Sequence, residues 1–175
     1  MRPQALILLA TTAMALAASP EAAPRLAYGI QRLGNAQSAT VCEPGAAGTA
    51  HGVALEYTLG NWARFNWPSF EPVAGLAQVA FLVRAGAAEP TALFCRVQTE
   101  DGLEWQSGPL AVTPEWQQVT VAAAGFTCFR GAPPEAAGSL DLSRATQFQV
   151  VPATKPQPGT GRLLIDEIRF LPGGP

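Results

Sequence analysis

Residues that perform catalysis are few in this chain. His51 is the single histidine, so a zinc site built from several histidines is excluded, and no serine lies in the pattern of a nucleophile elbow. Glu100, Asp101 and Glu104 lie close together, but they surround an Asp-Gly turn where solvated charges are expected. A hydrolase that uses a pair of carboxylates is therefore the less favoured interpretation, and we predict that the protein is not an enzyme.

Asp166 is the acidic residue whose position needs a physical explanation. It lies in RLLIDEIRF, residues 162–170. With the two-residue period of a strand, it shares a face with Leu164, Ile168 and Phe170, while the next glutamate and arginine mark the other face as the wetter one. We therefore predict that Asp166 points inward. A buried carboxylate needs partners, which are either hydrogen-bond donors or a metal ion.

The N-terminal segment predicts export. Arg2 precedes an apolar run, Ala5 to Ala18, which is too short to span a membrane and ends in an A-x-A pattern at residues 15–17. We assign residues 1–23 to a signal peptide, residues 24–171 to one domain and residues 172–175 to a tail or the start of a linker. The protein is expected to be secreted, either outside the cell or into the periplasm, with no membrane span.

Composition excludes one class of partner and leaves the cysteine pairing open. The net charge is −2 and no basic stripe is present, so nucleic acid is not an expected partner. Cys42, Cys95 and Cys128 are an odd number in an oxidising compartment. At most one internal disulfide can form, and the sequence does not choose among the three pairs.

Short alternating segments separated by Gly and Pro predict an all-β domain. The strands are expected in HGVALEYTLG, GLAQVAFLVRAG, TALFCRVQTEDGLEWQS, EWQQVTVAAAGF, ATQFQVVP and GRLLIDEIRF, with one or two irregular strands before them. The spacings leave no room for crossover helices, so the strands should be antiparallel. About eight strands in a single domain indicate a two-sheet antiparallel β-sandwich.

The ordered set of segments resembles the jelly-roll carbohydrate-binding modules of the galactose-binding-like superfamily. The matching segments are GVALEYTLGNWARFNW, LAQVAFLVRAG, CRVQTEDGLEW, PEWQQVTV, GSLDLSRATQFQV and GRLLIDEIRF. The resemblance implies a secreted, non-catalytic module that binds a polysaccharide or an oligosaccharide and accompanies a glycoside hydrolase or another surface protein. The alternative is a structural or adhesion-type domain of the same fold, without a sugar site, that engages another protein. A polysaccharide-cleaving enzyme is the third and least favoured class.

The resemblance also implies a structural calcium ion at Asp166, because an aspartate of the last strand often binds one in these modules. The family's acidic residue near the first strand has no clear counterpart in LAYG, and Glu43 and Glu56 are the nearest acids. The alternative is a carboxylate satisfied by hydrogen bonds alone, which we favour.

Candidate sugar-binding residues are aromatic or planar and polar. Sugar rings present apolar faces and many hydroxyl groups, so their receptors combine exposed aromatic rings with hydrogen-bonding groups. In NWARFNWP the candidates are Trp62, Arg64 and Trp67, with Asn66 beside them; Trp105 follows the hairpin. Trp116 is expected in the core or at its edge.

A row of polar residues completes the candidate site. If the apolar positions of each strand face the core, the alternate positions face outward. These are Arg84, Arg96, Gln98, Gln147 and Gln149. They either line a concave, glycan-binding sheet or form the solvated face of an ordinary one.

Overall fold

Twelve β-strands make up most of the regular structure. The computed structural model describes residues 30–42, 44–46, 49–60, 62–68, 75–86, 90–153 and 157–172. The strands are β1 (Gln31–Gly34), β2 (Ala36–Cys42), β3 (Gly52–Thr58), β4 (Ala63–Pro68), β5 (Leu76–Ala85), β6 (Ala92–Thr99), β7 (Glu104–Ser107), β8 (Leu110–Ala111), β9 (Gln117–Ala122), β10 (Phe126–Arg130), β11 (Ala145–Pro152) and β12 (Thr160–Pro172). A single four-residue α-helix, Pro134–Ala137, accompanies them within the described ranges.

These strands form two sheets with antiparallel pairings. The front sheet has the order β1-β4-β11-β6-β7-β10, with β8 paired to β6. The back sheet has the order β2-β3-β12-β5-β9. Many spatial neighbours are far apart in sequence, as in the jelly-roll connection pattern. The predicted two-sheet antiparallel β-sandwich is confirmed.

Aromatic side chains from both sheets meet in the core. Tyr57 of the back sheet packs edge-on against Phe65 of the front sheet, with ring centroids 6.3 Å apart. Phe148 of the front sheet contacts Phe81 and Phe170 of the back sheet, each at 6.0 Å. Edge-to-face pairs of this kind are worth about 0.5–1.5 kcal/mol beyond the area they bury. The same alternation that buries these rings turns the intervening residues outward.

Three strands, β4, β8 and β10, are absent from the set predicted from the sequence. FTCFR forms β10 at the edge of the front sheet, where Phe126 and Cys128 face the core. The segment is short and mixed in polarity, so its period is weak. The irregular N-terminal strands predicted from the sequence correspond to β1 and β2, one in each sheet.

Two of the three cysteines are free thiols in the core. Cys95 lies on β6 and Cys128 on β10, and both are buried. Burial raises the pKa of the Cys95 thiol well above its ordinary value, because the thiolate would lose its hydration. Cys95 and Cys128 are therefore structural, apolar residues in this state.

The predicted signal peptide, residues 1–23, lies outside the described residues, as does most of the predicted tail. Among the described residues, no helix is long and apolar enough to cross a membrane.

Candidate functional site

The outer face of the front sheet is concave. Arg64 on β4 and Glu104 on β7 both point away from the core, and Nη1 of Arg64 lies 3.8 Å from Oε2 of Glu104. Strands β11 and β6 lie between them. Three inter-strand spacings and an offset of four residues along the strands separate their backbones by roughly 19 Å in a flat sheet. Extended arginine and glutamate side chains fall short of that distance, so the sheet curves toward its outer face and forms a groove.

The floor of this groove is polar yet buried. Asn66 and Gln149 are only 3% and 2% exposed, although both alternate with core residues and face outward. Asn66 donates through Nδ2 to Gln31 (3.0 Å) and Gln147 (3.1 Å). Gln149 accepts a hydrogen bond from Arg64 at 3.3 Å. Amide side chains are thus held in a fixed row across β1, β4 and β11.

Two polar atoms at this floor have no hydrogen-bond partner among the described residues. They are Oδ1 of Asn66 and Nε of Arg64, and both are buried. A buried acceptor and a buried donor without partners are unfavourable, because each has lost its hydration. One acceptor and one donor therefore remain available to a ligand or to water molecules in the groove.

The second half of the groove is built around Arg96. Its Nε donates to Oε1 of Gln106 at 2.7 Å. Its guanidinium lies 4.3 Å from the ring centroid of Phe129, within the range of a cation–π contact. Phe129 is 41% exposed and lies next to a β-bulge that also places Arg130 opposite Glu104. An aromatic ring and guanidinium groups therefore face solvent at this end.

Four residues of the predicted polar row lie on the outer face of the front sheet. Arg96 and Gln98 face outward from β6, and Gln147 and Gln149 face outward from β11. Gln98 is paired with Gln147 on one side and with Glu104 on the other. Arg64 joins them from β4. These predicted residues thus share the groove.

Arg84 and Trp116 lie on the other side of the sandwich. Arg84 faces outward from β5 of the back sheet, and its guanidinium lies 5.3 Å from the Trp116 ring centroid. Trp116 is half-buried and lies outside the core cluster. Trp116 was expected in the core or at its edge, and its half-buried, outward-facing position just before β9 excludes the first of these two places. Arg84 is likewise not part of the groove.

The tryptophans named as candidates differ in their burial. Trp67 and Trp105 are 5% and 3% exposed and belong to the core cluster. They face inward because Trp67 alternates with Asn66 and Trp105 alternates with Glu104. Neither ring can present a flat face to a ligand in the groove, so both are removed from the candidate site.

Trp62 is the candidate ring that remains exposed. It is 51% exposed and comes immediately before β4. Because it alternates with Ala63, it lies on the same face of the strand as Arg64 and Asn66. The ring lies against Gly34, where an added Cβ would approach Cε3 of Trp62 to 2.8 Å. Gly34 also has φ of +64°, which a residue with a side chain rarely adopts. The glycine therefore leaves room for the indole beside β1, at this end of the groove.

Asp166 is buried, but it faces away from the core. Leu163 and Ile165 of β12 belong to the core, whereas Asp166 pairs with the outward-facing Leu82. A β-bulge follows, with Glu167 at φ of +51°, and it returns the next apolar residues to the core. The prediction that Asp166 shares a face with Ile168 and Phe170 is wrong, since the bulge breaks the alternation.

Hydrogen-bond donors surround the Asp166 carboxylate. Oδ2 accepts from the Ala46 amide at 3.0 Å and from the Thr49 hydroxyl at 2.5 Å. Oδ1 accepts from the Glu167 amide at 2.8 Å. Calcium takes six to eight oxygen ligands, and within the described part of the chain no three His, Cys, Asp or Glu residues form a metal-binding group. These donors fit a carboxylate that is satisfied by hydrogen bonds, and calcium at Asp166 stays a prediction of the resemblance.

A small acidic hollow lies at the tip of the β6–β7 hairpin. It is open to solvent and is lined by Thr99, Asp101, Leu103, Trp105, Ala137, Ser139, Asp141 and Arg144. A hydrogen bond from Thr99 lowers the pKa of Asp101, and hydrogen bonds from Ser143 lower the pKa of Asp141. A general acid in glycoside hydrolysis requires a raised pKa. The pKa values of Asp101 and Asp141 are lowered, so these two carboxyl groups are kept ionised and do not fit the role of a general acid.

Sequence reasoning missed four contributors to the groove, which are Gln31, Gln106, Phe129 and Arg130. Phe129 and Arg130 lie on the missed strand β10, and the outward position of Arg130 depends on a bulge. The outward position of Gln106 could have been predicted, because it alternates with Trp105 on a predicted strand. Asn66 was named only as a neighbour of the tryptophans. It is two residues from Arg64, so the same alternation predicts that it lies on the outer face.

Comparisons with known proteins give structural similarity without sequence similarity. No protein-family model matches the sequence, and no curated protein matches it. Among solved structures, the family 11 carbohydrate-binding module of the cellulosomal cellulase Lic26A-Cel5E of Clostridium thermocellum superposes with a TM-score of 0.62. The identity is 16%, over 83% of this chain and 87% of that chain. The chain has the jelly-roll fold of carbohydrate-binding modules.

Two further structures have the same fold. A family 11 module from Clostridium thermocellum in complex with a β-1,3-1,4-mixed-linked tetrasaccharide has a TM-score of 0.63 and 16% identity, over 84% of this chain and 89% of that chain. An exo-β-agarase has a TM-score of 0.62 and 14% identity, over 85% of this chain but 24% of that chain. The fold thus occurs both as a separate module and as part of an enzyme chain.

Proposed function

We propose that this chain is a secreted, non-catalytic module that binds carbohydrate in the groove on the outer face of its front sheet. The observation that carries the proposal is the buried polar floor, where Asn66 and Gln149 are held in place while Oδ1 of Asn66 has no hydrogen-bond partner among the residues that the structure describes. Sugars are ligands that combine many hydroxyl groups with apolar ring faces. Fixed amides and guanidinium groups suit the hydroxyls, and the flanking rings suit the apolar faces.

The exposed rings at the two ends of the groove indicate how long the ligand is. Trp62 precedes β4 and Phe129 lies on β10, with β11, β6 and β7 between those strands. Four inter-strand spacings amount to roughly 19 Å. A ligand that contacts both rings is longer than one sugar ring, so an oligosaccharide or a stretch of polysaccharide is the ligand we propose.

The binding role is favoured over catalysis by the state of the acidic residues. Glu104 lies between Arg64 and Arg130, and the hollow at the hairpin tip holds two carboxyl groups with lowered pKa. Neither place supplies the pair of one protonated and one ionised carboxyl that glycoside hydrolysis uses. The fold similarity to separate modules and to part of an agarase agrees with a domain that serves an accompanying glycoside hydrolase.

The test compares tryptophans on opposite sides of the sandwich. Trp62→Ala should abolish retention in gels that contain soluble polysaccharide, because stacking on a ring contributes about 1 kcal/mol and weak binding does not survive that loss. Trp116→Ala is the matched control, since it removes a partly exposed indole from the back sheet, and retention should stay at the wild-type level. Circular dichroism should show that both variants are folded.

Two core variants complete the design. Trp67→Ala and Trp105→Ala should each destabilise the fold by about 3–5 kcal/mol, as buried aromatic truncations do. If the folded Trp116→Ala protein loses retention and the Trp62→Ala protein does not, the ligand binds at the back sheet, which contradicts the proposed site on the front sheet. If the wild-type protein is retained by no plant, algal or bacterial polysaccharide and its fluorescence never shifts, the carbohydrate proposal fails, and a protein-binding scaffold replaces it.

A further inference from the structure

The groove carries an excess of positive charge that the sequence does not reveal. Three guanidinium groups face it, from Arg64 on β4, Arg96 on β6 and Arg130 on β10; we call them the arginine patch. Among the described residues of these strands and β7, one carboxylate, that of Glu104, lies between them. The whole chain has a net charge of −2. The groove is therefore locally positive on a slightly acidic protein.

Glu104 does not neutralise this patch. Its two oxygens lie 3.8 Å from Nη1 of Arg64 and 3.8 Å from Nη1 of Arg130, beyond direct hydrogen-bond distance. Arg96 donates its hydrogen bond to the neutral amide of Gln106 and stacks on Phe129. With one negative and three positive side chains, two positive charges remain unbalanced in the groove.

Partial burial makes an anionic partner more favourable for Arg96. Loss of hydration lowers the pKa of the Arg96 guanidinium, and repulsion from Arg64 and Arg130 adds to the effect, while Glu104 opposes it. A guanidinium that is partly dehydrated and crowded by like charges is stabilised when an anion approaches. Guanidinium groups bind carboxylate and sulfate groups through paired N–H donors, a geometry that lysine cannot provide.

We infer that the groove binds an anionic polysaccharide, whose carboxylate or sulfate groups contact Arg96 and Arg130 while its rings contact Phe129 and Trp62. This inference rests on the proposed carbohydrate function and names the class of ligand. The exposed Phe129 ring beside two guanidinium groups favours a sugar polymer over a small inorganic anion, since an inorganic anion has no apolar face to cover the ring.

The experiment measures affinity for charged and neutral polysaccharides with the whole mature protein. Polygalacturonate and alginate supply carboxylates, carrageenan supplies sulfates, and mixed-linkage β-glucan and agarose are neutral. We expect at least one charged polymer to bind more tightly than both neutral ones. Its affinity should fall by about tenfold or more when NaCl is raised to roughly 0.5 M, since salt screens the contacts. The two charged arms identify which anionic group is recognised.

Arginine variants test which side chains bind the charged polymer. Arg130→Gln and Arg96→Gln should each weaken binding to the charged polymer by about tenfold, the order expected for a charge-assisted contact. Arg84→Gln and Arg162→Gln are matched controls from the back sheet, where Arg84 also lies over a tryptophan ring, and they should bind like the wild type. Thermal melting confirms that each variant is folded.

The outcomes separate this inference from the proposed function. Binding to neutral glucan or agarose that is insensitive to salt and to both groove arginine variants overturns the anionic ligand while the carbohydrate function stands. Binding to none of the polymers overturns both. Equal affinity for duplex DNA and for the best charged polymer also overturns the inference, because it shows attraction to any polyanion.

Discussion

Asp166 joins two separate parts of the chain. Its carboxylate accepts hydrogen bonds from Ala46 and Thr49 in the connection between β2 and β3, and from the Glu167 amide in the bulge of β12. Both carboxylate oxygens are therefore engaged. A buried charge that receives several donors is satisfied without a metal ion, and its removal leaves those donors without a partner.

This environment gives a prediction for Asp166→Ala. The variant should lower the free energy of unfolding by roughly 2–4 kcal/mol, because buried amide and hydroxyl donors lose their acceptor. Chelator should leave the melting temperature of the wild-type protein unchanged. Thr49→Val, which removes one donor and keeps the carboxylate, should cost less than Asp166→Ala. Denaturant unfolding of the three proteins measures these differences.

The contrary result is equally clear. If chelator lowers the melting temperature of the wild type and added calcium restores it, and if Asp166→Ala abolishes that response, then the carboxylate holds calcium.

Single residues were predictable where the strand alternation is regular. The outward positions of Arg96, Gln98 and Gln149 follow from apolar neighbours that enter the core, and the structure agrees. The same alternation places Trp67 and Trp105 on the core-facing side of their strands and buries them. Their prediction as ligand contacts did not take this alternation into account. Asp166 could not be placed, because its position depends on a bulge.

At the level of elements, Arg144 ties the hairpin tip to the turn before β11. It donates to Glu100 at 2.8 Å and lies 3.2 Å from Asp101, while its carbonyl accepts from the Glu100 amide. Asp141 caps the same turn by accepting from the backbone amide of Ser143. Glu100, Asp101 and Asp141 thus link the β6–β7 hairpin to the turn before β11. The pKa of Asp101 is lowered mainly by its hydrogen bond from Thr99 and that of Asp141 by hydrogen bonds from Ser143, with a smaller contribution from the charge of Arg144.

The pH dependence of stability follows from these two carboxyl groups. A pKa that is lower in the folded state contributes stability at pH values above the unfolded pKa, about 3.9 for aspartate, and loses it as the pH falls through the folded pKa. Asp101→Asn and Asp141→Asn should each lower the melting temperature slightly at pH 7, and the difference from wild type should disappear near pH 2. The effect is small because both groups are exposed.

Calorimetry across this pH range measures the difference, with Glu115→Gln as an exposed acidic control outside the cluster. A difference from the wild type that grows as the pH falls would have the wrong sign and would exclude the hydrogen bonds as its cause.

Bulges are the elements that the sequence concealed. In β12 the left-handed residue is Glu167, at φ of +51°. Glycine or asparagine at that position would have signalled a bulge, whereas glutamate in an apolar run indicates ordinary alternation. In β10 a register shift between Cys128 and Arg130 turns Arg130 toward the groove, while Phe129 faces outward by ordinary alternation with Cys128. In both strands one inserted residue reverses the later assignment of face.

At the scale of the whole molecule, the fold class was predictable and the site was predictable only in part. Short alternating segments with Gly and Pro between them are enough to indicate an antiparallel sandwich. The groove, however, depends on the strand order β4-β11-β6-β7-β10, which brings together arginines separated by more than thirty positions in sequence. A chain without a basic stripe can therefore present a basic surface, since topology and curvature, and not sequence proximity, assemble it.

Export is the prediction that concerns the entire chain. The apolar run ends in small residues at Ala15 and Ala17, the pattern that signal peptidases cleave after, so the mature protein should begin between Ala18 and Pro24. Mass spectrometry of protein exported by a bacterial host measures the start. Ala17→Phe should block processing if cleavage follows that residue, whereas Ala23→Phe should block it only if the mature start lies near Pro24. Exported wild-type protein that keeps Met1 would show that the segment is not a cleaved signal.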